Sequence, residues 1–205
     1  MGAEIVPFSP IHDNHLPHHL DGLYMGGGYP ELHAEALQSN ESMRGDIQSF
    51  AKAGGLVYAE CGGMMYLTGG LYTGKTKENS MYSQLCAVFP DVISRMTPHM
   101  KMHYAEIEFT ADNTVFAPGQ RCRGQKFHFS EILLGNDESD FSKRGNWRFP
   151  MKATPETIID VQPEQVGLTY KNTAASYYHL HFASNPTIAS ELTRKALEFS
   201  PSRNE

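Results

Sequence analysis

The chain has 205 residues, a formal charge of −6, a sequence pI near 5.9, and is 40% hydrophobic and 20% charged. That length suits one domain with a substantial core and would leave two domains cramped. The acidic balance speaks against a nucleic-acid binder, which needs a basic field, and no apolar run approaches the roughly 20 residues that span a bilayer.

In chain order, residues 4–8 form a short apolar run closed by Pro10 and predict a strand. The His-rich segment around His12, His15, His18 and His19 shows neither alternation nor a helical face, so a solvated loop is favoured there over a metal site. A second short apolar run at residues 20–25 ends in Gly26-Gly27-Gly28, the form of a strand buried in a parallel sheet. Pro30 opens a helical stretch with Leu32, Ala36 and Leu37. A further helix over 42–53 carries Met43, Ile47 and Phe50 and stops at Gly54-Gly55. Leu56-Val57-Tyr58-Ala59 reads as another buried strand, and an apolar helix follows over 64–67. This alternation predicts an α/β domain with a parallel sheet.

Residues 74–100 show no clear period. Residues 101–132 alternate, with His103, Ala105, Ile107 and Phe109 on one face, and predict antiparallel strands added to the sheet. Residues 135–157 are polar and loop-like, residues 166–170 and 175–182 predict a hairpin, and a closing helix is expected over 187–199. The opening MGAEIVPFSP has no basic leader or apolar run. Cys61, Cys86 and Cys122 form neither a disulfide framework nor a CxxC metal pair, so a reducing, cytoplasmic setting is expected.

Three segments carry chemistry. In Tyr58-Ala59-Glu60-Cys61-Gly62-Gly63 a cysteine sits where a buried strand meets a helix, with glycine directly after it, the form of a nucleophile elbow. The helix start offers N–H groups for an oxyanion and a field that favours thiolate. A small buried cysteine in a glycine turn is the other reading. Gly26-Gly27-Gly28 ends a strand without the lysine of a phosphate-binding loop, and it suits either close approach to a ligand or a plain turn. In Tyr177-Tyr178-His179-Leu180-His181-Phe182 the two imidazoles would share a strand face. They suit a general base for the cysteine, with a two-histidine metal site as the competing reading. Gly69-Gly70-Leu71-Tyr72-Thr73-Gly74-Lys75-Thr76 formally fits a Walker A string, but it follows a helix rather than a strand.

Together, residues 26–31, the helix with Met43-Arg44, residues 54–67 and residues 178–186 resemble the glutaminase domain of cobyrinic acid a,c-diamide synthases. That domain is the cobalamin-pathway branch of the class I, or triad, glutamine amidotransferases. The resemblance implies a flavodoxin-like α/β sheet flanked by helices, with added antiparallel strands, in a single domain over 1–205. It implies that Cys61 attacks the glutamine side-chain amide and that Gly27, Gly28 and Gly62 supply oxyanion amides. A histidine of the pair would be the base, His179 favoured over His181. It implies no metal in this chain, L-glutamine as substrate, and a tetrapyrrole acceptor. Related enzymes carry ATP and Mg²⁺ in an N-terminal synthetase domain with a P-loop, which is absent from this sequence, so a separate subunit or a fragment is expected.

Two features depart from the pattern. Many class I enzymes carry a glutamate two residues after the histidine, and here those positions are His181 and Ala183, so the third triad member is missing or comes from elsewhere. Gln125-Lys126 stands where the family usually has His-Glu. A non-catalytic protein that kept the fold, a different cysteine hydrolase, and a glutaminase serving another carboxylate acceptor are the rival readings.

Overall fold

The computed structural model of the chain describes residues 2–74, 76, 79–134, 150–156 and 163–199. Strands β1 (Gly22–Met25) and β2 (Leu56–Glu60) pair in parallel. Between them a 3-10 turn at Pro30–Leu32 leads into helices α1 (Ala34–Ser39) and α2 (Glu41–Ala53). The limits of α2 follow from its end residues. The Asn40 side chain accepts from the Met43 amide at 3.3 Å, and Gly54 closes the helix in the left-handed conformation. Met43, Ile47 and Ala51, one per turn, form its buried face.

After helix α3 (Gly62–Leu67) come β3 (Thr68–Tyr72), β4 (Tyr82–Gln84), the long β5 (Phe89–Phe109), β6 (Arg121–Leu134), β7 (Met151–Pro155) and β8 (Glu164–Val166). A hairpin of β9 (Leu168–Tyr170) and β10 (Thr173–Ser176) then returns to the first sheet, whose order is β1-β2-β10-β9 with β10 parallel to β2. Strand β11 (Tyr178–Leu180) joins the second sheet, ordered β11-β6-β5-β3-β4, in which β7 pairs with β5 and β8 with β7. Helix α4 (Thr187–Glu198) follows. Alternate residues of a strand face opposite ways. Strand β2 therefore sends Val57 and Ala59 into one core, with Met25, Met43 and Ile47. It sends Leu56 and Tyr58 into another, with Ile107, Phe109, Tyr178 and Ile188.

The α/β class, the parallel pairing and both long helices agree with the sequence reading. Four details differ, the first being that residues 151–155, expected within the polar loop over 135–157, form strand β7 against β5. Residues 4–8 form no strand: Pro7 removes a ladder donor from the middle of the run, and Phe8 alone of it packs on the core. The antiparallel strands build a second sheet instead of extending the first. The expected terminal hairpin forms over β9 and β10 only, because the chain crosses over at Gly167 and again at Tyr177 and leaves Val166 and residues 178–180 in the second sheet.

The Walker-like glycines Gly69 and Gly70 lie inside β3, where an added Cβ would meet Pro90 O and the Tyr82 ring, each at 2.4 Å. A paired strand cannot curl its N–H groups round a phosphate, so this stretch does not fit ATP. Lys75 lies outside the described residues, as do 135–149 and 157 of the expected polar loop. Among the described residues no helix is long and apolar enough to cross a membrane.

Candidate active site

The site forms where β2 ends. Cys61 is held between β2 and α3 with φ 49° and ψ −108°, a strained backbone for a residue with a Cβ. Its amide donates to Ser176 O at 2.8 Å, so β10 fixes the elbow from the next strand. The two glycines after it are required by close approach. A Cβ on Gly62 would lie 2.6 Å from Gly28 O, and one on Gly63 would lie 2.4 Å from Met25 O. The segment that follows β1 is thus pressed against the start of α3, with the Gly63 amide donating to Gly26 O at 3.1 Å. Gly28 and Gly62, expected as oxyanion partners, are brought together at the nucleophile.

Gly27 meets the third segment. A Cβ there would lie 2.4 Å from His179 Cε1, so the imidazole rests on the bare glycine backbone. His179 is the middle residue of β11 and half-buried. Its pKa is raised to about 10: hydrogen bonding to Cys61 is the largest cause, the Glu60 carboxylate acts in the same direction, and partial burial opposes both. Cys61 and His179, expected as nucleophile and base, thus act on each other electrostatically. The Cys61 thiol also lies 3.7 Å from Phe127 O, within reach of a weak S–H donor.

His181 is not part of this group. Strand β11 stops at Leu180, so the rule that residues two apart share a face no longer applies. His181 is exposed, its amide donates to Arg123 O, and its carbonyl accepts from Ser184 in the next 3-10 turn. The other cysteines are set apart chemically. Burial pushes both the Cys86 and the Cys122 thiol up to about 12, which keeps them protonated and unreactive.

Glu60 was not singled out by the sequence as a site residue, yet the structure places it at the centre. It is 4% exposed, and its Oε1 accepts from Tyr58 OH at 2.8 Å and from the Leu180 amide at 2.9 Å. Its Oε2 accepts from Tyr24 OH at 2.9 Å and lies 3.6 Å from His179 Nδ1. The available signal was period-2 alternation: Glu60 shares a face with Tyr58 at the end of an otherwise apolar strand.

The departure at Gln125-Lys126 is resolved by register. Gln125 sits opposite His179, whereas Lys126 sits opposite Tyr178 on the other face of β6. The Lys126 ammonium stands 5.3 Å from the Tyr178 ring centroid and 3.8 Å from Glu164, and burial lowers its pKa. The added cation is turned away from the nucleophile. In the His-rich loop His15 pairs with Asp46 at 2.9 Å. Among the described residues no three His, Cys, Asp or Glu side chains are grouped so as to hold a metal ion.

Comparison with known proteins matches the same segments. The model of the CobB/CobQ-like glutamine amidotransferase domain covers residues 1–187. A cobyrinate a,c-diamide synthase of Methanothermobacter thermautotrophicus is 37% identical over 197 residues, covering 96% of this chain and 39% of that protein. One from Limosilactobacillus reuteri is 37% identical over 193 residues, covering 91% and 38%. The chain thus spans about two fifths of the length of these relatives. A crystal structure of a glutamine amidotransferase superposes with a TM-score of 0.52 at 13% identity, over 89% of this chain and 80% of that one, and shows the shared fold. Elbow, glycine loop and histidine strand all fall inside the matched span, and the chain belongs to the CobB/CobQ-like glutamine amidotransferase domain family.

Proposed function

We propose that this chain hydrolyses the side-chain amide of L-glutamine and supplies the ammonia to an ATP-dependent synthetase that amidates the a- and c-acetate groups of cobyrinate. The observation that carries the reading is the convergence of Cys61 at the head of α3, the Gly28 backbone pressed against Gly62, and the His179 ring resting on Gly27. Cys61 gives its thiol proton to His179, whose raised pKa favours the imidazolium, and the sulfur then attacks the amide carbon. The oxyanion meets the backbone amides at Gly62 and Gly28, and each such donor is worth roughly 3–4 kcal/mol where one has been removed elsewhere. The proton on His179 passes to the leaving nitrogen, ammonia departs, and a glutamyl thioester remains. Water activated by the same imidazole then releases glutamate.

Amide synthesis needs an activated carboxylate, and the glycines of the Walker-like stretch are committed to β3. ATP and Mg²⁺ therefore belong to the synthetase, which in the full-length relatives would fall in the three fifths that this chain does not span. A cytoplasmic setting accords with three free thiols.

The test has two arms. Glutamate release from glutamine should be present in the wild type and lost in Cys61→Ser. Addition of a synthetase with ATP, Mg²⁺ and cobyrinate should yield the diamide. Glutamate release that survives Cys61→Ser sinks the mechanism, and failure of amidation alone sinks only the acceptor.

A further inference from the structure

We propose that Glu60 is the acid that orients His179, a positioning residue supplied by the position directly before the nucleophile. The inference rests on His179 being the base, and it fills the place left vacant after the histidine, where His181 stands exposed. A carboxylate has about four acceptor positions. Three are filled by Tyr58 OH, the Leu180 amide and Tyr24 OH, at 2.8, 2.9 and 2.9 Å. The oxygen that takes Tyr24 also faces His179 Nδ1 at 3.6 Å, just beyond hydrogen-bond length. Such contacts are often long in the absence of substrate and tighten in the reacting complex.

The placement has a second consequence. Leu180 directly follows His179, so one carboxylate holds both the ring and the strand that carries it. With Nδ1–H turned to Glu60, Nε2 is the nitrogen left to take the Cys61 proton. Burial of a carboxylate is costly unless its lone pairs are filled, and two phenols with one amide meet that need without a metal or a lysine. The charged or titratable groups around the ring are then Cys61 and Glu60 on the β2–α3 elbow and, through Glu60, Tyr24 on β1 and Tyr58 on β2. On β6, Lys126 lies on the other face of the strand, and Arg123, on the face of Gln125, pairs with Glu156 at 3.4 Å. An acid that comes from the neighbour of the nucleophile moves with the nucleophile. Elbow, base and orienting group are therefore set by one strand end.

The experiment is a pH titration of the His179 ring by NMR in the full chain, with kcat and KM for glutamine measured in parallel. Glu60→Gln keeps the shape and removes the charge. The expected result is a fall of the His179 midpoint by about one unit or more. A loss of kcat on the order of 10²–10⁴-fold should accompany it, with KM little changed. A folded Glu60→Gln protein whose His179 midpoint is unmoved overturns the proposal, whatever its activity. Should Glu60→Gln fail to fold, Tyr24→Phe decides the matter. It removes the donor that competes for the same oxygen and leaves the charge in place. The His179 midpoint should then rise, and an unchanged midpoint overturns the proposal. The titration needs no turnover, so an inactive wild type would count against the glutaminase reading while leaving this test intact.

Discussion

Gly27→Ala separates catalysis from stability more sharply than any other single change in the site. The new Cβ would lie 2.4 Å from His179 Cε1, 3.3 Å from Nε2 and 3.4 Å from Nδ1. Carbon atoms rest at roughly 3.5–4.0 Å, so the ring must withdraw by about 1 Å. The obstructed atom is the end of a side chain, so the shift costs the fold little. Gly27 is exposed and its φ is not in the left-handed region, so alanine is tolerated there. By restricting the unfolded chain it should even add about 0.4–1 kcal/mol of stability. The same 1 Å breaks the alignment of base and nucleophile, and misplacements of that size cost about 10²-fold in rate. The assay is glutamate release beside thermal unfolding, with Gly26→Ala as the internal comparison, since a Cβ at Gly26 would meet nothing within 4 Å. A Gly27→Ala protein with undiminished kcat/KM, or one whose loss of activity tracks a loss of Tm, refutes the reasoning.

Gly62→Ala and Gly63→Ala should behave in the opposite way, because their Cβ atoms meet backbone at 2.6 and 2.4 Å; unfolding should show a clear drop in Tm together with lost activity. His179→Asn should cut glutamine turnover by roughly 10²–10⁴-fold, while His181→Asn should cost far less, and steady-state kinetics with the reverse ranking would move the base to His181. A glutamine-mimicking electrophile should label Cys61 alone, as peptide mapping would reveal, because Cys86 and Cys122 are held protonated by burial. Burial lowers His128 from the ordinary 6.5 to about 4, so the unfolded chain binds the extra proton between those values and stability should fall as pH drops through that window; denaturant midpoints against pH should show the slope, and His128→Phe, which keeps a ring stacked on Tyr177, should flatten it.

Much of the fold is legible in the sequence because its short-range signals agree with its long-range ones. Strand β2 reads as buried from four apolar residues in a row, and burial at all five positions follows from its place between β1 and β10. Helix α2 carries its own boundaries in Asn40 and Gly54. The failures lie where a local pattern has two outcomes of similar energy. An apolar run such as residues 4–8 makes a strand only when a sheet edge can use its N–H groups, and Pro7 spoils that edge. The alternation over 101–132 specifies a half-buried strand, but not which sheet it joins. The crossing at Tyr177 is held by a contact more than a hundred residues away in sequence, Leu180 N to Glu60.

The site divides in the same way. A nucleophile elbow is local: the strand, the cysteine and the glycines are contiguous, and every constraint on them acts over a few ångströms. The histidine strand is non-local but keeps a recognisable neighbourhood, and the end of β11 at Leu180 is what sets His179 and His181 apart. Glu60 gives only a faint sign in one dimension, its period-2 alternation with Tyr58, because an acid beside a cysteine otherwise reads as a polar strand end at the surface. Its meaning comes from Tyr24, Tyr58 and Leu180, three donors from three strands that converge on a side chain with 4% exposure. A buried carboxylate that takes donors from so many elements is costly to assemble and has no packing advantage over a leucine. Its place directly before Cys61 is therefore better explained by the imidazole it faces than by the fold it helps to close.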